Sequence, residues 1–123
     1  MSKGKILVVE DDESLQALLK IDIEKEGFEV VQALNLVDGY TSFLARTDDF
    51  IAIFMDGRLN NQYSDGLIKQ IRMAGFMNPM IAFSGDDDTQ KVLLAAGCSH
   101  RIDGKGAVGD FLEEFRKIIN PPQ

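Results

Sequence analysis

The sequence predicts an α/β fold, a parallel sheet with helices on both faces, in one domain. Three observations carry this. Short apolar runs alternate with stretches of helical periodicity along all 123 residues. Two of those runs, Ile6–Val9 within Lys5–Val9 and Phe50–Met55, are apolar on successive residues, as in strands covered on both faces. Capping and stop residues stand where each run gives way to the next.

Taken in order, Lys5–Val9 is the first strand. The acidic stretch Glu10-Asp11-Asp12-Glu13-Ser14 follows, where a helix N-terminus accepts negative charge. Leu15, Leu18, Leu19 and Ile23 recur at helical spacing, and Gly27 stops that helix. Phe28–Val31 reads as a second strand and Leu36–Leu44 as a second helix. Phe50–Met55 is the third and most apolar strand, followed by a polar loop from Asp56 to Ser64. A short helix spans Asp65–Ala74, a fourth strand Pro79–Phe83, and a helix Asp86–Ala96 closed by Gly97. His100–Asp103 is a polar fifth strand, and Val108–Ile119 an amphipathic last helix. Met55, Met73, Met77 and Met80 are expected in or against the core, and Cys98 as a packed small hydrophobe. The domain is expected over residues 1–120, with 121–123 a tail or the start of a linker.

Composition narrows the function classes. There are 20 acidic against 13 basic residues, a net charge of −7, which argues against a direct nucleic-acid surface built on phosphate neutralisation. A single cysteine excludes an intrachain disulfide, so a reducing cytoplasm is the simplest compartment. His100 is the only imidazole, which removes zinc sites built on several histidines. The longest purely apolar run, Phe50–Met55, is far too short to cross a membrane, and no signal-peptide core follows the N-terminal lysines.

In open parallel sheets, sites form beyond the carboxyl ends of the strands. Here the first strand ends in Glu10-Asp11, the third in Asp56 and the fourth in Ser84-Gly85. If those strands are neighbours, three carboxylates converge. At ~4 Å each pair costs about 1 kcal/mol even in bulk water. A hard divalent cation would relieve that repulsion, and carboxylate oxygens with retained waters are typical Mg²⁺ ligands. Asp12 and Glu13 read instead as helix-capping acids.

Ile6-Leu7-Val8-Val9-Glu10-Asp11, Phe54-Met55-Asp56 and Ala82-Phe83-Ser84-Gly85, in this order and spacing, resemble the receiver domain of two-component response regulators, the chemotaxis regulators among them. The resemblance implies a flavodoxin-like, doubly wound five-stranded parallel sheet of order 2-1-3-4-5. It implies that Asp56 is a phosphoacceptor and that Asp11 holds Mg²⁺ directly, with Glu10 acting through water. It implies a metal contact from the Arg58 backbone carbonyl, a hydroxyl from Ser84 to the phosphoryl oxygen, and room for the phosphate at Gly85. The phosphodonor would be a histidine kinase or a histidine phosphotransfer protein, and the signal would pass to a downstream protein or an appended output domain. Such a domain catalyses its own phosphorylation and dephosphorylation without turning over a small substrate. The alternative is a degenerate receiver-like interaction module that is not phosphorylated.

The sequence departs from the family in three places. The segment between Asp56 and Gly66 is longer than usual, and Asn60 stands where a proline is common. The family's phosphate-binding lysine would be Lys105, displaced by one position and followed by Gly106 in place of proline. The aromatic residue common on the fifth strand is replaced by Arg101 or Ile102. Arg58 and Asp86 are expected to pair across the mouth of the site.

Overall fold

The structure, a computed structural model, describes residues 2–46, 49–103 and 108–119. In chain order the elements are β1 (Lys5–Val9), α1 (Glu13–Lys25), β2 (Glu29–Ala33), α2 (Leu36–Ala45), β3 (Phe50–Asp56), β4 (Arg58–Leu59), β5 (Gln62–Tyr63), α3 (Asp65–Met73), β6 (Met80–Ser84), α4 (Asp87–Ala96), β7 (His100–Asp103) and α5 (Val108–Ile119).

Five parallel strands form one sheet in the order β2-β1-β3-β6-β7. Without the two short strands β4 and β5, this is the expected 2-1-3-4-5 order. Alternation along each strand divides the core between the two faces. Leu7, Val9, Ile53, Met55, Met80 and Ala82 pack on one face with Phe43, Leu67, Ile68, Ile71 and Leu93 of α2, α3 and α4. Ile6, Val8, Ala52, Phe54, Ile81 and Ile102 pack on the other with Leu19 and Ile23 of α1 and Phe111 and Phe115 of α5. Phe54 centres the second cluster, its ring 5.2 Å from that of Phe111 and 5.6 Å from that of Phe115. Gly27 and Gly97 follow α1 and α4 with φ of 100° and 136°, the positive values at which glycine ends a helix without strain.

The register carries the site residues to one edge. Val9 pairs with Met55, Asp56 with Phe83, and Ser84 with Asp103. Glu10, Asp56 and Ser84 therefore leave the sheet side by side.

Two expectations need correction. The segment from Asp56 to Ser64 is not only loop: β4 and β5 pair antiparallel, Arg58 with Tyr63 and Leu59 with Gln62. The turn residues Asn60 and Asn61 have φ of 52° and 65°, the left-handed values a two-residue hairpin of primed type requires and asparagine tolerates. Met55 and Met80 are fully buried, but Met73 and Met77 are each 87% exposed. Leu67, Ile68 and Ile71 supply the buried face of α3, which leaves Met73 on the outer side, and Phe76 takes the inward place next to Met77.

Cys98 is buried against the first cluster, and burial pushes its thiol pKa up to about 12. Beside it, Arg72 donates to the carbonyls of Gly97, Phe76 and Asn78, bracing the sheet at the end away from the acidic cluster.

Candidate functional site

β1 delivers Glu10 and Asp11 as the sheet gives way to α1. Glu10 is 2% exposed, and its carboxylate accepts from the Asp12 N–H at 3.2 Å. Asp12 caps α1 by accepting from the Leu15 N–H. Asp11 is half-buried, and its Oδ2 accepts from the Asn60 N–H at 2.9 Å, so the tip of the β4–β5 hairpin rests on the acidic edge. β3 delivers Asp56, which is 4% exposed. Its carbonyl accepts from the buried Ser64 hydroxyl at 2.7 Å, and the Ser64 N–H donates to the Gly57 carbonyl at 3.1 Å, which closes the base of the hairpin.

One ligand atom from each of Glu10, Asp11 and Asp56 lies within 4.8 Å of the others. These are hard oxygen donors from two adjacent strands, beside open space, and the set fits Mg²⁺. They share an open cavity of about 420 Å³ with Ser84, Gly85, Asp86 and Thr89 on the far wall and Arg58 at the mouth. A larger groove of about 710 Å³ runs between α1 and the β2 edge, but among the described residues no comparable cluster of ligating groups converges in it.

On the far wall, the Ser84 hydroxyl accepts from the Asp86 N–H at 3.1 Å. Asp86 caps α4, accepting from the Thr89 N–H at 3.2 Å and the Thr89 hydroxyl at 2.5 Å. That hydroxyl bond holds the Asp86 carboxyl below the usual carboxylate range. Asp87, next in the first turn, is likewise lowered, by Lys91 and then Arg101. A Cβ at Gly57 would lie 2.2 Å from Cγ2 of Thr89, so the two walls meet where only glycine fits. A Cβ at Gly85 would meet nothing within 4 Å, so the cavity is open there.

Arg58 and Asp86 do not pair as expected. Arg58 turns back over the ring of Tyr63, 4.7 Å from its centroid, while Asp86 is engaged with Thr89. On β7, Ile102 is buried in the core, and Arg101 faces outward to Asp87 with Nη1 to Oδ1 at 3.1 Å. Lys105, with Gly104 and Gly106, lies outside the described residues.

Sequence reasoning missed two buried glutamines. Gln16 Nε2 donates to the carbonyls of Val8, Glu10 and Ala33, tying the ends of β1 and β2. Gln90 Nε2 donates to those of Ser84 and Ile102, tying β6 to β7. Each stands four residues after a capping aspartate, Asp12 or Asp86, at the start of a helix that leaves the site edge. That repeated spacing is the signal that could have found them.

No family model matches the chain. In sequence it is 31% identical over 90 residues to the alkaline phosphatase synthesis transcriptional regulatory protein PhoP of Bacillus subtilis. It is 26% identical over 87 residues to the uncharacterized transcriptional regulatory protein YkoG of the same organism. These matches take in 72% and 71% of the chain but only 37% of each relative, so the chain corresponds to well under half the length of either. In structure it is similar to the non-phosphorylated HemR receiver domain of Leptospira biflexa, with a TM-score of 0.83, 23% identity and 98% of each chain covered. The strand order, the acids at its carboxyl edge and these likenesses agree: the chain has the fold of the receiver domains of two-component response regulators and is similar to that family in sequence.

Proposed function

We propose that the chain is a phosphoacceptor receiver, in which Asp56 takes a phosphoryl group from a phosphohistidine donor and the change is read by a protein partner. The observation that carries this is the convergence of Glu10, Asp11 and Asp56 within 4.8 Å, with the Ser84 hydroxyl on the opposite wall of the same cavity.

An Asp56 carboxylate oxygen is the nucleophile. It forms a bond to phosphorus as the bond from phosphorus to the donor imidazole nitrogen breaks, and the imidazole leaves with that electron pair. The work of the site is positioning and charge stabilisation. Mg²⁺, when bound by Glu10, Asp11, Asp56 and the Arg58 carbonyl, supplies the positive charge that offsets both the carboxylates and the incoming phosphoryl group. The Asp56 backbone is held by Ser64, which fixes the nucleophile's origin. The Ser84 hydroxyl accepts from a backbone N–H and keeps its own proton free to donate to a phosphoryl oxygen. Lys105 is proposed as a further cation for the same group.

The donor would be a histidine kinase or histidine phosphotransfer protein, and the setting the cytoplasm. Among the described residues no helix is long and apolar enough to cross a membrane, which fits that setting. Output would run through a downstream protein or an appended domain, in keeping with relatives much longer than this chain.

Incubation with acetyl phosphate and Mg²⁺, followed by intact-mass measurement, tests the reading. The expected result is one added phosphoryl group in the wild type and none in Asp56→Asn. No addition in the wild type, or equal addition in the variant, would overturn it, and the first of these would favour a binding module that is not phosphorylated.

A further inference from the structure

The β4–β5 hairpin brings a cation to an acidic cavity and then turns it aside. Among the described residues that line the cavity, Arg58 is the one cation, beside the acids Glu10, Asp11, Asp12, Asp56 and Asp86. Yet the guanidinium lies over the exposed ring of Tyr63, with Nη2 3.5 Å from the Tyr63 hydroxyl. The hairpin sets this contact. Arg58 and Tyr63 are direct partners across the two strands, and Leu59 between them is fully buried. The Asn60 N–H ties the turn to Asp11, so the whole unit is held against the acidic edge.

We propose that Arg58 is a phosphoryl-binding residue of this chain, resting on Tyr63 while Asp56 is unphosphorylated and moving onto the phosphoryl oxygens when Asp56 carries them. The proposal rests on the reading of Asp56 as phosphoacceptor. Phosphorylation replaces the single charge of a carboxylate with about −1.5 to −2 and adds strong acceptor oxygens. A guanidinium fork matches two such oxygens, and a charge-assisted pair of that kind outweighs an exposed cation–π contact. The ring is therefore a resting place that Arg58 leaves readily. It holds the side chain near the mouth and away from the carboxylates that would gather round a metal ion.

Beryllofluoride with Mg²⁺ is the probe, a phosphoryl mimic whose bound fluorine signal is read directly by NMR. Arg58→Ala should weaken its binding about tenfold or more, with Arg58→Lys in between. Tyr63→Leu should strengthen it roughly two- to fivefold, because the competing contact is gone. Without beryllofluoride, Mg²⁺ affinity in Arg58→Ala should rise, since a side-chain cation has left the cavity while the backbone carbonyl at position 58 is kept. Opposite effects of the two hairpin substitutions are what a merely structural role would not produce. Unchanged beryllofluoride affinity in Arg58→Ala, or weaker binding in Tyr63→Leu, would overturn the proposal. If the wild type takes up a phosphoryl group at Asp56 but mimic binding ignores Arg58, this inference alone fails. If the wild type shows neither a bound fluorine signal nor a mass shift, the phosphoacceptor reading fails with it.

Discussion

Gln16 and Gln90 hold opposite walls of one cavity by the same device, and what each wall carries is different. On the β1–β3 side, the Gln16 amide ties Val8, Glu10 and Ala33, Gln32 donates to Gln16 in turn, and Glu10 and Asp56 are almost wholly enclosed. On the β6–β7 side, the Gln90 amide ties Ser84 to Ile102. One residue away on β7, Arg101 forms a solvent-exposed pair with Asp87 of α4. One wall fixes the acidic cluster. The other joins the site hydroxyl to an exposed strand and helix that a partner could read. A charge added at Asp56 meets a fixed wall on one side and a wall leading outward on the other.

The largest expected effect tests the fixed wall. Gln16→Leu removes the two N–H donors that three carbonyls share and takes a partner from Gln32, so it should cost about 3 kcal/mol in urea unfolding. Gln90→Leu, which removes the donors to the Ser84 and Ile102 carbonyls, should cost ~2 kcal/mol by the same reasoning. A larger loss for Gln90→Leu would reverse the assignment of the two walls.

Next comes the seam between them. Gly57→Ala would place a Cβ against Cγ2 of Thr89 and should cost roughly 1–3 kcal/mol through overpacking. Thr89→Ser removes that methyl group and keeps the hydroxyl that caps α4 through Asp86. The double variant should recover most of the loss in a double-mutant cycle. Strict additivity would mean that the walls do not meet at this point.

The fixed wall was also the easier one to read in the sequence. Its strands are unbroken apolar runs, and Glu10, Asp11 and Asp56 stand directly at the ends of those runs, so adjacency of β1 and β3 is enough to bring them together. The hairpin was harder to see. Asn60-Asn61 is not the Asn-Gly pair that announces a tight turn, and the flanking strands are two residues each, too short for alternation to register. Gln16 and Gln90 are marked in the sequence only by their spacing from the capping aspartates. Glutamine is ordinary on a helix surface, and these two are buried only because neighbouring strands end at the same level. Met73 and Met77 misled in the opposite sense, since an apolar side chain does not by itself reveal which face of α3, or which side of the loop after it, is covered.

Metal binding should act on the fixed wall alone. At a Mg²⁺ concentration ten times its dissociation constant, wild-type stability should rise by about 1.4 kcal/mol. Asp11→Asn should abolish that gain, because a ligand charge is lost while the amide oxygen can still accept from Asn60. Without metal the same variant should melt slightly higher than wild type, with one of three mutually repelling charges removed. Thermal melts of both proteins with and without Mg²⁺ check each part, and equal gains in the two would remove Asp11 from the metal site.

The smallest effect belongs to the outward-leading wall and is read by pH. The carboxyls of Asp86 and Asp87 are both held below their ordinary value of 3.8, so their charged forms are favoured by the fold. Such groups contribute stability that is fully present above the unfolded value and is lost as pH falls through the folded one. Between neutrality and about pH 4 nothing should change at α4. Below that, the Asp86 cap and the Asp87 pairs should be released while the apolar core stays packed. The causes differ, and salt separates them. Asp86 is held mainly by the Thr89 hydroxyl, a neutral donor, so added salt should leave its titration in place. Asp87 is held by Lys91 and Arg101, both on exposed side chains, so salt should move its titration back toward the ordinary value. Carboxyl-carbon NMR titrations at low and high salt measure both, and the Arg101 signals should follow Asp87. If Asp86 shifts with salt as much as Asp87 does, its charge is set by the surrounding field rather than by the cap. If the Arg101 signals ignore Asp87, the exposed pair does not join β7 to α4, and the route outward from Ser84 would end at Gln90.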